Sequence, residues 1–117
     1  MTTLTEVPVR QIRNVTIVAP EGRMRHDTPM PDSFYASVRR ALEEGRIRIL
    51  VDFSAVTTID ATGVARLTRA LTSTCNAGGS LKLMRVSPLV YDVLEIIRLH
   101  ESFEIFEDES EAIRSFE

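Results

Sequence analysis

The chain has 117 residues, enough for one domain and too few for two ordinary ones, and its 44% hydrophobic and 26% charged content is that of a soluble globular protein. A net charge of −3 with scattered arginines argues against nucleic-acid binding through a basic patch, and no apolar run is long enough to cross a membrane. The N-terminus lacks the apolar block of a secretion signal, and the single Cys75 cannot form an internal disulfide, so a reducing, cytoplasmic setting is expected.

In chain order, residues 1–6 are polar and expected to fray. Residues 7–12 and 15–18 are β-prone stretches around Arg13-Asn14, the pattern of a hairpin. Residues 19–32 carry prolines and Gly22, which forbid a long regular element. Asp32 or Ser33 can cap a helix over 33–44, with Phe34, Val38, Ala41 and Leu42 as its buried stripe and Gly45 at its end. Arg39 and Arg40 read as its solvated face.

Residues 47–77 form the unit around which the rest is arranged. Ile49, Leu50 and Val51, followed by Asp52 and Phe53, suit a central strand covered on both faces. Residues 54–58 read as a polar turn. Ile59 then points inward, and Asp60 stands where a helix should begin. Val64, Leu67, Leu71 and Cys75 recur at helical spacing, which puts Cys75 on the apolar stripe as a small buried side chain. Gly78-Gly79 stops that helix, and Leu81 and Leu83 alternate with Lys82 and Met84 as in a strand. Ser87 with Pro88 opens a third helix, with Val90, Val93, Leu94 and Ile97 as its core stripe. Residues 103–106 make a short edge strand, and a last helix begins near Ser110, anchored by Ile113 and Phe116. Strands alternating with helices imply parallel pairing through right-handed crossovers, and the first hairpin makes the sheet mixed. The expected fold is one α/β domain over residues 1–117.

The chemistry points to binding and not to catalysis. His26 and His100 fall in different loops, and no serine or cysteine beside them completes a nucleophilic arrangement. Asp52 and Asp60 end a strand and cap a helix, positions where carboxylates satisfy backbone donors more often than they hold a metal. Gly78-Gly79 lacks the Lys-Ser/Thr of a phosphate loop. Neither a metal nor another cofactor is expected. With Asp60 as cap, Ala61 and Thr62 belong to a first turn whose backbone N–H groups have no helical partner. A hydroxyl there is reachable, and the positive helix end tolerates an added anion. Gly63, without a side chain, would let a partner's backbone come close. On local chemistry alone, Thr62 also fits an ordinary solvated position in a capped helix.

Ile59-Asp60-Ala61-Thr62-Gly63-Val64, preceded by Ile49-Leu50-Val51-Asp52-Phe53, resembles the signature of the STAS domain family. These are the domains of sulphate transporters and anti-sigma factor antagonists. The likeness continues through Gly78-Gly79-Ser80-Leu81-Lys82-Leu83, Val86-Ser87-Pro88 and residues 103–106. It implies a mixed, mostly parallel sheet with helices largely on one side. It further implies an anti-sigma factor antagonist that binds a serine/threonine kinase, itself an anti-sigma factor, without nucleic acid or membrane. The phosphorylated hydroxyl of the family precedes the motif's glycine, which is Thr62 here, and the first motif position, often serine, is Ala61. The partner face implied by the motif is Asp60, Ala61, Thr62, Gly63 and Val64. Arg25 stands where the family's loop aspartate is expected, with Asp27 two residues on. Related domains also serve as scaffold subunits of stress-sensing complexes or in lipid-transport assemblies, which is the alternative reading.

Overall fold

The computed structural model describes residues 6–117; the expected fraying of the N-terminus falls mostly outside that range. Strands β1 (Val9–Ile12) and β2 (Val15–Val18) form the hairpin, turning through Arg13 and Asn14 at φ of 52° and 69°. Two consecutive left-handed residues match the right-handed twist of the flanking strands, and asparagine tolerates that conformation well. β3 (Gly22–Met24) is followed by helix α1 (Met30–Glu43), then β4 (Arg48–Asp52), β5 (Val56–Ile59) and helix α2 (Ala61–Asn76). β6 (Ser80–Met84), α3 (Pro88–Ile96), a 3-10 turn (His100–Ser102), β7 (Ile105–Phe106) and α4 (Glu109–Arg114) complete the chain.

The main sheet has the order β1-β2-β4-β6-β7, antiparallel at β1-β2 and parallel elsewhere; β3 and β5 pair in parallel as a separate ribbon. β4 therefore lies in the middle, as its unbroken apolar run predicts. Ile49 and Val51 face the larger core, with Phe34 and Val38 of α1, Leu67 and Ala70 of α2 and Val90 and Leu94 of α3. Leu50 faces the smaller one, with Ile17, Met84 and Ala112 and Ile113 of α4. Three helices thus cover one face, and the short α4 covers the other.

Several expectations are corrected. α1 begins at Met30, not Ser33, because Pro31 sits in the first turn, where its missing N–H costs nothing. Neither Asp32 nor Ser33 caps it; Asp32 lies inside the first turn and its carboxylate accepts from Arg66 Nε at 2.8 Å. Residues 56–58, expected within a polar turn, belong to β5: Val56 is buried and Thr57 exposed, and Ile59 at the strand's end is buried as expected. The actual turn is Ser54-Ala55, closed by the Ser54 N–H donating to Asp52 Oδ1 at 3.0 Å and the Val56 N–H to the Phe53 carbonyl at 3.0 Å. Cys75 is exposed: the buried stripe of α2 runs Val64, Leu67, Ala70 and Thr74. Thr74 stays inside because its hydroxyl donates to the Ala70 carbonyl at 2.7 Å. Ile97 lies past the end of α3 and is exposed. Among the described residues no helix is long and apolar enough to cross a membrane.

Candidate functional site

The site grows out of the junction between β5 and α2. Asp60 is extended, with φ −122° and ψ −172°, and its Oδ1 accepts the Gly63 N–H at 3.0 Å, closing the cap that the sequence predicts. Its backbone N–H donates to the Met24 carbonyl at 3.2 Å, which ties the helix start to the end of β3.

The second carboxylate oxygen reaches across the chain. Asp60 Oδ2 accepts the His26 backbone N–H at 2.8 Å and lies 2.8 Å from His26 Nδ1. One side chain therefore caps α2 with one oxygen and pins the β3–α1 loop with the other. Burial pushes the Asp60 carboxyl up, but the His26 backbone and ring bonds and the Gly63 N–H outweigh it and hold the group well below the usual carboxylate range. Sequence reasoning missed His26, because a histidine 34 residues from its partner leaves no periodic or spacing signal. The loop is further shaped by the Thr28 hydroxyl, which lies 2.8 Å from the Arg23 carbonyl and 3.0 Å from that of Arg25. Asp27, the nearest acid to the expected loop aspartate, faces Arg23 and Arg25 at 4.0 and 3.8 Å.

The motif residues divide into two sets. Ala61 is exposed and Thr62 half-buried, both in the first turn of α2, so this pair forms the accessible part. Gly63 and Val64 are buried. The room expected at Gly63 for a partner's backbone is already taken: a Cβ there would collide with the Met24 carbonyl oxygen and come within 2.7 Å of Ile59 Cγ1. The glycine is needed for close approach, but of β3 in the same chain. Asp52 is separate from this centre, with its carboxylate facing Ser54 N–H and Arg85 Nη1, the latter at 3.7 Å.

The sequence matches the model of the STAS domain family over residues 6–112. The chain belongs to the STAS domain family. Several solved structures share its fold. One is an anti-sigma-factor antagonist (STAS) domain protein from Planctomyces limnophilus, 18% identical over 96% of this chain and 98% of its own, with a TM-score of 0.81. Another is an anti-sigma factor antagonist from Mycobacterium paratuberculosis, 14% identical over 94% and 92% of the two chains, with a TM-score of 0.79. A third is the Bacillus cell fate determinant SpoIIAA in its phosphorylated form, 18% identical over 95% and 99%, with a TM-score of 0.73. No curated protein sequence matches this STAS domain.

Proposed function

We propose that this STAS domain is an anti-sigma factor antagonist: a bacterial, cytoplasmic binding module that sequesters an anti-sigma factor kinase, frees a sigma factor, and is switched off by phosphorylation of Thr62. The observation that carries the reading is the placement of Thr62. It is the one hydroxyl in the motif Asp60-Ala61-Thr62-Gly63, and it sits in the first turn of a helix whose start is fixed at both oxygens of Asp60. Ala61 and Thr62 form the contact face, and Asp60, Gly63 and Val64 hold it in position from beneath. Asp60 is a cap and anchor in this account, and the chain acts by binding, with the chemistry supplied by its partner.

The kinase brings ATP. The Thr62 oxygen bonds to the γ-phosphorus, the bond from that phosphorus to the β–γ bridging oxygen breaks, ADP leaves, and the hydroxyl proton passes to a base of the kinase. The product carries about −1.5 to −2 of new charge at neutral pH. The helix N-terminus tolerates it within the domain. In a packed interface the same charge costs desolvation, so the modified protein is released.

Mass spectrometry after incubation with the cognate kinase and ATP tests this. Phosphate is expected at Thr62, and Thr62→Ala should bind the kinase yet resist modification. Thr62→Glu should bind more weakly, with one carboxylate mimicking phosphate only in part. Phosphate confined to Ser54, Thr57 or Thr58 would refute the assignment, and normal kinase binding with no phosphate anywhere would favour a scaffold role.

A further inference from the structure

Arg66 stands four residues after Thr62 within the unbroken helix α2. Residues at this spacing share a face, with Cβ atoms about 5–6 Å apart, and an anion four residues before a cation is the favoured order. The Arg66 guanidinium is engaged elsewhere: its Nε donates to Asp32 Oδ1 at 2.8 Å, linking α2 to the first turn of α1. That link is open to competition. The Asp32 side chain is 77% exposed and that of Arg66 33%, and exposed ion pairs of this kind contribute little.

The other charges of the β3–α1 loop and of the α2 start have partners of their own, as Arg66 does. Both Asp60 oxygens accept from this chain's own donors, and His26 is bonded to one of them. Arg23 and Arg25 face Asp27 at 4.0 and 3.8 Å, looser than the Arg66 pair, but they lie in and just after β3, outside the helix that carries Thr62. Arg69, on the same stripe as Arg66, lies over the Tyr35 ring at 4.8 Å and is about 10 Å along the axis from Thr62, at 1.5 Å per residue.

We propose that Arg66 is the phosphate-binding residue of modified Thr62, and that phosphorylation transfers its guanidinium from Asp32 to the phosphate. This rests on the reading of Thr62 as the modified residue. The phosphate carries more charge than the Asp32 carboxylate and offers three oxygens in a geometry that a guanidinium meets with two parallel bonds. The new pair lies within one helix, whereas the old one bridges two. The exchange unhooks α2 from the start of α1 and leaves Asp32 uncovered beside the phosphate. The modified surface thus differs by more than the phosphate itself: a neutralised patch becomes an acidic one.

The test uses the full chain with phosphothreonine installed at position 62 during translation, so that no kinase is involved. Phosphorus NMR follows its second ionisation, ordinarily near pH 6. With Arg66 in place that ionisation should fall about half a unit or more below its value in Arg66→Gln. Arg66→Lys, a point charge without the fork, should recover part of the shift, and Arg69→Gln should leave it whole. The Arg66 Nε resonance should move between the plain and phosphorylated chains. An identical ionisation in Arg66→Gln, or a shift lost in Arg25→Gln and kept in Arg66→Gln, would overturn the assignment. A kinase that leaves Thr62 unmodified would refute the functional reading above without altering these titrations, so the two failures are distinguishable.

Discussion

At Gly63 two opposing effects decide what a single methyl would do. Alanine is the better helix former by about 1 kcal/mol. Its Cβ, however, meets the Met24 carbonyl and the Ile59 and Met24 side chains, and the carbonyl is backbone that cannot rotate away. Overpacking of this kind costs about 1–3 kcal/mol, so with the better propensity set against it Gly63→Ala should lose up to about 2 kcal/mol in urea denaturation. Asp60 gives a pH signature. Its folded carboxyl is held below the ordinary range, so the native state binds fewer protons than the unfolded chain. Its contribution is complete above the ordinary carboxylate value, about 3.9, and drains away as the pH falls below it. Wild type should therefore lose more urea resistance than Asp60→Asn on acidification below about pH 4; equal losses would show that the His26 bonds do not act as described. Of these residues, the Asp60 cap was legible because an aspartate before the first apolar position is a local signal. The crowding at Gly63 was not legible, since Met24, far back in the chain, supplies its carbonyl oxygen and side chain there beside Ile59.

Among the elements, β4 is hydrogen-bonded to β2 on one side and β6 on the other and carries buried residues toward both cores. Amide exchange should be slowest at Ile49, Leu50 and Val51; fast exchange there under native conditions would contradict the central placement. This strand was readable because burial on both faces removes alternation and leaves a plain apolar run. β5 was not, because its exposed Thr57 and half-buried Thr58 look like turn residues, and its partner β3 is only three residues long. α1 was shortened by reading Pro29 and Pro31 as breakers, where proline in a first turn is harmless. In α2 the stripe drifted to Ala70 and Thr74 at the expense of Cys75. A threonine that satisfies its own hydroxyl within the helix packs inside as readily as a thiol.

For the whole molecule, the end of the chain fastens the second face of the sheet. Lys82 is buried under α4, with its Nζ 2.9 Å from the Ser115 carbonyl and 3.0 Å from the Ser115 hydroxyl, 3.3 Å from Glu104 Oε2, and 4.6 Å from the centre of the Phe116 ring. Deleting residues 115–117 removes the Ser115 acceptors and the Phe116 ring, and leaves the ammonium with Glu104 and water. Bonds to charged groups contribute about 1.5–3 kcal/mol each, and the loss on truncation should be about 2 kcal/mol in thermal or urea melts.

The two borders of the main sheet carry a last consequence. β7, at one border, is two residues long, and β1, at the other, is four residues of largely exposed sequence, entered from Pro8 and left through the Arg13-Asn14 turn. Arg10 of β1 is further paired with Glu109 of α4. Short, charged or proline-bounded borders give an extended peptide little to zip onto. Strand addition at either border of the main sheet is therefore disfavoured, and the same property guards the domain against edge-to-edge stacking with its own kind.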